Sequence, residues 1–179
     1  MPEIQLRPTV ATDLPRLMNF DHSITSESVW QLELRRDNGQ VTAAFREVRL
    51  PRSVSLTYPH NPFALADDWK RKSMMYTAYI GQDSAGYISL LERGTESVVW
   101  VTDLVVNVAD RRLGVAAAML AAAQDWAAER SHRRLILEMQ SKNLPGIRLA
   151  QKFGYEFSGY NDHYYINQDV ALFFSKTIK

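Results

Sequence analysis

The sequence contains no cysteine among its 179 residues. Without thiols, the chain has no disulfide framework, no thiolate nucleophile and no thiolate zinc site. Histidine, aspartate and glutamate remain as candidate metal ligands, but the histidines show no ligand spacing: they are His22, His60, His132 and His163. We therefore expect no bound metal.

Long apolar runs and an excess of one charge are also absent. No stretch approaches the about 20 apolar residues that are needed to cross a bilayer. Residues 1–4 lack the basic and apolar regions of a signal peptide. With 21 basic against 20 acidic side chains, no overall field favours nucleic acid. We expect a cytoplasmic protein that binds neither membrane nor nucleic acid.

The composition that is present is typical of one globular unit. Hydrophobic residues make up 46% and charged residues 23% of the chain, as in ordinary soluble proteins. A chain of this length can bury one sizeable core. We predict a single domain over residues 1–179.

The clearest local pattern lies in residues 101–120, which read VTDLVVNVADRRLGVAAAML. Residues 98–106 are β-branched and almost continuously apolar, as expected for a strand covered on both faces. After them, apolar residues recur at helical spacing with alanine between; they are Val115, Met119, Leu120, Ala123, Trp126 and Ala127. The pattern predicts a strand that leads directly into a helix.

The turn between this strand and helix, residues 110–116, predicts an anion site. The first N–H groups of a helix have no helical acceptor and lie at the positive end of its dipole. Gly114 and Ala116 allow a phosphate to approach the main chain, and Arg111 and Arg112 add positive charge. The alternatives are a tight turn without a ligand and two ordinary surface arginines.

Other segments predict the rest of the secondary structure. The predicted strands are Ile4–Pro8, 29–35, 41–50, Met74–Ile80, 85–92, Arg134–Gln140, 164–166 and 171–178. Asp37-Asn38-Gly39 predicts a hairpin turn. The predicted helices are a short one capped by Thr12 and Asp13 and one over 144–153. Residues 51–69 read as an irregular loop that could cover a substrate, with at most a short helix near 64–72.

The turn resembles a known signature. RxxGxA, at Arg111, Gly114 and Ala116, resembles the acyl-CoA signature of the GNAT N-acetyltransferase superfamily. Further residues extend the resemblance to about residues 85–175, and the streptothricin acetyltransferase-like subgroup looks most similar. They are the strands VTDLVV and LEMQ, Asn143, the segment KFGY at 152–155, Gly159 and residues 170–174.

The resemblance implies an α/β (α+β) fold of the GNAT type. Its mixed, mainly antiparallel central sheet is flanked by helices, and its two central parallel strands splay apart. Those strands correspond here to residues 98–106 and 134–140. In the family, the pantetheine of acetyl-CoA lies in the gap between them.

The resemblance also implies a set of cofactor-binding residues. Main-chain groups of Leu104, Val105 and Val106 would pair with the pantetheine amides, and an N–H near Val105 would polarise the thioester. The pyrophosphate would lie beside Arg111, Arg112, Leu113, Gly114, Val115, Ala116 and Ala117. Asn143 would contact the pantetheine arm; its alternative role is a simple cap for the following helix.

Two carboxylates are candidates for catalysis or for binding the amine. Glu138 and Asp103 interrupt apolar strands, where a carboxylate is costly unless it is paired or used. The alternatives are a buried ion pair or a position facing the surface. An amine nucleophile must lose a proton, because a free alkylammonium has a pKa of about 10.

One departure from the family concerns the general acid. Many members place a tyrosine four residues before the glycine of the late helix, where this chain has Ala150. We take Tyr164 as the candidate acid, with Tyr160, Tyr165 and His163 as further candidates. Alternatively no acid is needed, since a thiol leaving group has a pKa of about 8.5.

The expected function is acetyl transfer from acetyl-CoA to a primary amine by direct attack in a ternary complex. The amine could be a small molecule such as an antibiotic or a metabolite, or the amine of a peptide or protein. A second hypothesis is a non-catalytic acyl-CoA sensor, which Ala150 favours. A nucleotide-binding module is disfavoured, since no GxxxxGK[ST] or GxGxxG follows a strand.

The apolar end, 171–174, could pair across a homodimer or complete the core.

Overall fold

The computed structural model describes residues 2–93 and 97–178. The strands are β1 Ile4–Pro8, β2 Ile24–Asp37, β3 Gln40–Leu56, β4 Met74–Ile80, β5 Asp83–Glu92, β6 Val98–Val106, β7 Arg134–Gln140, β8 Glu156–Asn161 and β9 Ala171–Thr177. The α-helices are α1 Leu14–Met18, α2 Leu65–Asp68, α3 Val115–Glu129 and α4 Leu144–Lys152. Short 3₁₀ turns at Pro62–Ala64 and Trp69–Arg71 flank α2, and a third precedes α3 at Val108–Asp110.

Seven strands form one sheet in the order β1-β4-β5-β6-β7-β9-β8. Within the described residues, β6 and β7 are the one parallel pair, and every other neighbouring pair is antiparallel. Pairing between them runs from Val98–Arg134 to Val101–Leu137 and goes no further, although both strands continue. The predicted mixed sheet with splayed central strands is confirmed.

A bulge in β6 decides which side chains face the site. Ser89 of β5 pairs with Asp103, whereas the next residue of β5 pairs with Val101, so Thr102 is an extra residue. Val101 therefore packs in the main core, but Val105 packs in a second core on the opposite face. The bulge turns Asp103 towards that second face.

The main core lies between the sheet and helices α3 and α4. The buried residues of α3 are the six that helical spacing predicts: Val115, Met119, Leu120, Ala123, Trp126 and Ala127. They belong to one cluster with strand and α4 residues such as Ile88, Val99, Leu135, Ile147 and Leu172. The second core joins α1 and α2 to the sheet through Leu14, Leu17, Leu65, Met75, Tyr87 and Val105. No helix in the described residues is long and apolar enough to span a membrane.

The predicted hairpin is confirmed as a separate two-stranded sheet. Asn38 and Gly39 have φ of 42° and 81°, as a two-residue hairpin turn with positive φ at both positions requires. The ring of Trp30 packs against Phe45, Phe157 and Phe174, which anchors the base of the hairpin. The N–H of Trp30 also donates to the Ser141 carbonyl at 2.8 Å.

The predicted start of the loop at residue 51 is wrong, because β3 continues to Leu56. Ser28 pairs with Arg49 and Ser26 pairs with Val54, so the residues between them form a bulged stretch. Proline is tolerated at such a bulge, which is how Pro51 lies inside a strand. The short helix predicted near 64–72 is present as α2 with its flanking turns.

One strand predicted near the end of the chain is wrong. Residues 164–166 do not form the predicted strand; they lie in an irregular segment, 162–170, which we call the tyrosine loop. The N–H groups of Tyr164 and Tyr165 both donate to the Asp169 carbonyl, which curls the loop. The strand before this loop, β8, was not predicted from the sequence. Because β9 pairs with β7 on one edge and β8 on the other, it completes the core and is not free to pair across a dimer.

Candidate active site

The candidate site lies where β6 and β7 part. Val101 and Leu137 are the last paired residues, so Thr102 and Glu138 are the first beyond the pairing. We call this place the strand fork. Both carboxylates that the sequence singles out lie there, since Asp103 follows Thr102 directly.

Asp103 lies at the centre of a buried network of donors. Its carboxylate accepts hydrogen bonds from the hydroxyls of Tyr58, Ser89 and Thr102, the last at 3.1 Å. Lys72 donates to the same carboxylate at 3.2 Å and forms an ion pair with it. Only 7% of Asp103 is exposed. The structure therefore places this residue in a buried ion pair, which was one of the two alternatives to a role in catalysis or amine binding.

The network keeps Asp103 ionised. Burial by itself raises its pKa, but the Lys72 charge and the hydrogen bonds from Ser89 and Tyr58 outweigh burial and hold the pKa below its ordinary value. Burial and the Asp103 charge raise the pKa of Tyr58 well above its ordinary value. A carboxylate with four donors and a depressed pKa accepts a further proton poorly. Asp103 is better suited to stabilising a positive charge than to acting as a base.

Glu138 has fewer partners and lies nearer the surface. Its Oε2 accepts a hydrogen bond from the Tyr164 hydroxyl at 3.2 Å, and its Oε1 lies 3.4 Å from the Tyr165 hydroxyl. Glu138 is partly buried, and no cation binds it in the described residues. The structure thus joins two candidates from different parts of the chain, Glu138 and Tyr164.

Tyr164 is held protonated at neutral pH. Burial and the charge of Glu138 raise its pKa above the ordinary value for tyrosine, while Arg93 opposes this change. Burial and Glu138 also raise the pKa of Tyr165, which is only 7% exposed. Tyr164 is 39% exposed, so its hydroxyl is the more accessible proton donor.

The tyrosine loop is fixed by Asp169. The Asp169 carboxylate accepts from Gln140 at 3.1 Å and from Asn167 at 2.9 Å, and it pairs with Lys142. Since Gln140 ends β7, this network ties the loop to the strand that carries Glu138. The two segments therefore keep a fixed relation.

The two regions of the site are linked by aromatic rings. The imidazole of His60 lies 5.4 Å from the Tyr58 ring and 6.5 Å from the Tyr165 ring, measured between centroids. Tyr58 belongs to the Asp103 network and Tyr165 lies beside Glu138. His60 therefore lies between the two carboxylate groups.

The predicted phosphate turn has the geometry of an open helix start. Gly114 is the N-cap of α3 with φ of 94°, and Arg112 also has a positive φ of 68°. The helical hydrogen bonds begin with the Ala118 N–H, which donates to the Gly114 carbonyl at 3.0 Å. The N–H groups ahead of it have no helical acceptor. They lie at the end of the loop that follows β6, the strand that parts from β7.

Arg111 points elsewhere. Its Nε donates to the Val106 carbonyl at 3.2 Å, and its Nη2 donates to the Ser23 carbonyl at 2.8 Å and the Asp21 carbonyl at 3.3 Å. Arg112, its neighbour, is exposed. The two arginines of the turn therefore have different surroundings.

The other residues singled out from the sequence contact groups other than the two carboxylates. Asn143 is the N-cap of α4 and accepts from the Gly146 N–H at 2.9 Å, the capping role that was one of its alternatives. Ala150 is fully buried in the main core. Tyr160 packs against Phe45 with ring centroids 5.2 Å apart, and His163 is exposed beside Asp162.

The sequence did not point to a further buried polar pair, His22 and Tyr87. The ring of His22 is buried, and burial lowers its pKa, so it is neutral at pH 7. Its Nδ1 lies 2.8 Å from the Phe20 carbonyl, which can only accept. Its Nε2 therefore accepts from the Tyr87 hydroxyl at 3.0 Å. A cavity of about 410 Å³, lined by Phe20, His22, Tyr58, His60 and Phe63 among others, opens beside this group.

The sequence is similar to known acetyltransferases. Residues 41–155 match the model of the acetyltransferase (GNAT) family. Over 93 residues the chain is 31% identical to a streptothricin acetyltransferase of Escherichia coli. That match covers 52% of this chain and 53% of the relative, so it spans about half the length of each.

Solved structures share the fold over nearly the whole chain. A nourseothricin acetyltransferase superimposes with a TM-score of 0.84 at 24% identity, covering 98% of this chain and 99% of the other. A protein of Bacillus anthracis str. Ames, solved in complex with acetyl coenzyme A, gives 0.75 at 20% identity with the same coverage. At these identities the likeness establishes the fold alone.

Proposed function

The chain belongs to the acetyltransferase (GNAT) family, and from that premise we propose that it transfers an acetyl group from acetyl-CoA to a primary amine. The observation that carries the proposal is the strand fork. Glu138 and its hydrogen-bond partner Tyr164 lie beside it, and the N-terminus of α3, whose first N–H groups have no helical acceptor, follows β6 in the chain. The fork supplies a gap between strands, the helix start supplies anion-binding N–H groups, and the two side chains supply proton chemistry.

The fork is suited to an extended amide-containing chain such as pantetheine. Beyond Val101 the edge of β6 that faces β7 has no strand partner in the described residues. Unpaired N–H and C=O groups on a strand edge bind an added extended segment by main-chain hydrogen bonds. We propose that Leu104, Val105 and Val106 do so, although the Val106 carbonyl already accepts a hydrogen bond from Arg111.

The helix start is suited to a pyrophosphate. N–H groups of residues 113–117 precede or begin α3, at the positive end of its dipole. Gly114 has a left-handed backbone, and because glycine has no Cβ, no side chain obstructs the approach of an anion. We propose that these groups and the exposed Arg112 hold the phosphates of acetyl-CoA.

In the proposed reaction the amine nitrogen attacks the thioester carbonyl carbon, and the carbonyl oxygen becomes negative. The C–N bond forms, the C–S bond breaks, and the amine nitrogen gives up a proton. We propose that Glu138, directly or through a water, receives the amine proton, and that the Tyr164 hydroxyl delivers a proton to the leaving sulfur. The existing hydrogen bond between them lets Glu138 reprotonate Tyr164, so the charges balance over one turnover. Direct attack fits a chain without cysteine.

Asp103 has a different role in this proposal. Its ionised carboxylate is largely satisfied, so it favours positive charge nearby without acting as the base. The relatives named above are streptothricin and nourseothricin acetyltransferases. We therefore propose streptothricin-type antibiotics as the first acceptors to test, followed by other small amines and peptide amines.

A second candidate function is a non-catalytic acyl-CoA sensor. The observation that favours it is Ala150, which is fully buried and supplies no hydroxyl at the position where the family resemblance implies a tyrosine. We also propose that residues 1–179 form one domain, and that it works in the cytoplasm, where acetyl-CoA is available.

Calorimetric titration of the full chain with acetyl-CoA, coenzyme A and ATP tests the cofactor half of the proposal. We expect acetyl-CoA and coenzyme A to bind and ATP to bind at least tenfold more weakly, because ATP has no pantetheine to occupy the fork. Equal affinity for ATP would contradict the pantetheine assignment, and no binding of acetyl-CoA would overturn the whole proposal.

A further inference from the structure

Arg111 is held by carbonyl oxygens of two separate segments. Its Nη2 donates to Ser23 at 2.8 Å and to Asp21 at 3.3 Å, and its Nε donates to Val106 at 3.2 Å. The first two carbonyls lie about ninety residues away in sequence, in the connection between α1 and β2. No carboxylate in the described residues forms a salt bridge with this guanidinium.

These bonds use the geometry of the guanidinium. Its planar fork places several N–H donors at fixed angles, and a charged donor makes stronger hydrogen bonds to carbonyls than a neutral one. One arginine thus connects the 21–23 segment to the end of β6. Because Val106 is the last residue of β6, the attachment lies directly before the phosphate turn.

The 21–23 segment is part of the cavity wall. Asp21, His22 and Ser23 all line the cavity of about 410 Å³ beside Tyr58. In sequence, His22 lies between Asp21 and Ser23, whose carbonyls both accept from Arg111, and its ring lies 3.0 Å from the Tyr87 hydroxyl. Moving the segment would therefore move a buried histidine and the opening next to the Asp103 network.

We propose that Arg111 is a positioning residue that fixes the 21–23 segment, and with it the wall of the cavity, against the phosphate turn. The phosphates of the cofactor are left to the main-chain N–H groups and to Arg112. The role in fixing the segment stands without the proposed function, whereas the effect on amine acceptors rests on it.

Hydrogen exchange of the peptide covering 19–24 tests the first role without cofactor or acceptor. We expect Arg111→Ala to speed exchange there about tenfold, because two charged hydrogen bonds to the segment are lost. Arg112→Ala is the matched control, since it removes the same charge one residue away, and it should leave exchange of this peptide unchanged. If Arg111→Ala folds poorly, Arg111→Lys is the second variant. It keeps the charge but lacks the planar guanidinium, and it should still speed exchange.

Calorimetry separates this role from phosphate binding. We expect Arg111→Ala to weaken acetyl-CoA binding by less than about threefold and Arg112→Ala to weaken it more, because the Arg111 donors already have acceptors. S-acetylpantetheine, which lacks the phosphates, should bind with the same affinity to wild type, Arg111→Ala and Arg112→Ala. With an amine that wild type acetylates, Arg111→Ala should raise the acceptor KM about tenfold and change kcat little.

Two results would overturn the inference. One is a large loss of acetyl-CoA affinity in Arg111→Ala that Arg111→Lys restores, with S-acetylpantetheine unaffected, because that pattern is phosphate binding by charge. The other is unchanged exchange of the 19–24 peptide in both Arg111 variants. Failure of the proposed function looks different: wild type itself would acetylate no amine, while the exchange result would stand.

Discussion

The Tyr164 hydroxyl donates a hydrogen bond to Oε2 of Glu138 over 3.2 Å, beside the point where β6 and β7 part. The two residues come from a strand and from a loop 26 positions later, and Asp169 holds that loop in place. The proposed acceptor of the amine proton and the proposed proton donor to the leaving sulfur are therefore in contact. In the proposed mechanism this pair moves the protons, although Ala150 supplies no hydroxyl.

Glu138→Gln should lower kcat about 100-fold, because the amide no longer accepts the amine proton. Acetyl-CoA affinity by calorimetry should stay within about twofold, since the proposed cofactor contacts are main-chain groups. Glu156→Gln, at an exposed carboxylate of β8, is the matched control. Turnover of Glu138→Gln equal to that of wild type would remove Glu138 from the mechanism.

Tyr164→Phe should lower kcat about tenfold or more, while Tyr165→Phe, whose hydroxyl is 3.4 Å from Glu138, should have a smaller effect. The pKa of Tyr164 is raised above its ordinary value of 10.0 by burial and by Glu138. Its acid form therefore persists across the neutral range, and the loss of activity from its ionisation should lie above pH 10. A wild-type alkaline limb near pH 8 that vanishes in Tyr164→Phe would contradict this assignment.

Asp103→Asn should destabilise the fold by about 3 kcal/mol, because it leaves the largely buried Lys72 without its anionic partner. The folded pKa of Asp103 lies below the unfolded value of about 3.9, so its contribution to stability is full above that pH. The contribution is lost as the pH falls from the unfolded pKa through the lower folded one.

Urea unfolding at neutral and acid pH measures this effect. The free energy of unfolding of Asp103→Asn should fall less steeply with acidification than that of wild type. Lys72→Met, which removes the charge that depresses the pKa, is the companion variant. An acid dependence of the Asn variant as steep as that of wild type would show that other carboxylates account for it.

Gly114→Ala should weaken acetyl-CoA binding at least about tenfold, because a Cβ at this turn obstructs the approach of the phosphates. Gly154→Ala is the matched control, since φ is 94° at Gly114 and 75° at Gly154, and no atom lies within 4 Å of a Cβ at the latter. Both changes should destabilise the fold by about 1 kcal/mol or more from backbone strain. Equal effects of both variants on cofactor affinity would mean that Gly114 serves the backbone alone.

Asn143→Ala should destabilise the fold by about 1 kcal/mol, because the hydrogen bond to the Gly146 N–H is lost. Asn143→Asp retains a capping oxygen but has no amide N–H₂, so it separates the two expected roles. If Asn143 contacts pantetheine through its N–H₂, both variants should bind acetyl-CoA more weakly than wild type. If Asn143 is a cap only, cofactor affinity of the Asp variant should equal that of wild type.

Much of the fold could be predicted because local patterns encode it. The buried stripe of α3 repeats at helical spacing, and Asn38-Gly39 has the backbone preferences of a hairpin turn. Residues 164–166 misled because aromatic and β-branched residues favour strands. Their loop instead depends on the carbonyl and carboxylate of Asp169, which no periodicity reveals.

The candidate site could be predicted only in part. Asp103 and Glu138 stood out because a carboxylate within an apolar strand needs a reason. The partners of Asp103 come from positions 45, 31 and 14 residues away, namely Tyr58, Lys72 and Ser89. Only the complete fold brings these groups together, and the bulge at Thr102, which turns Asp103 towards them, has no local sequence signal.

The measurement that tests the central claim most directly is release of coenzyme A thiol from acetyl-CoA over a panel of amines containing streptothricin, polyamines and short peptides. Mass spectrometry should detect the acetylated product. The account predicts thiol release with at least one amine, one acetyl group gained per thiol released, and strong loss of both signals in Glu138→Gln. Binding of acetyl-CoA without thiol release with any amine would contradict the proposed enzymatic activity and favour the acyl-CoA sensor.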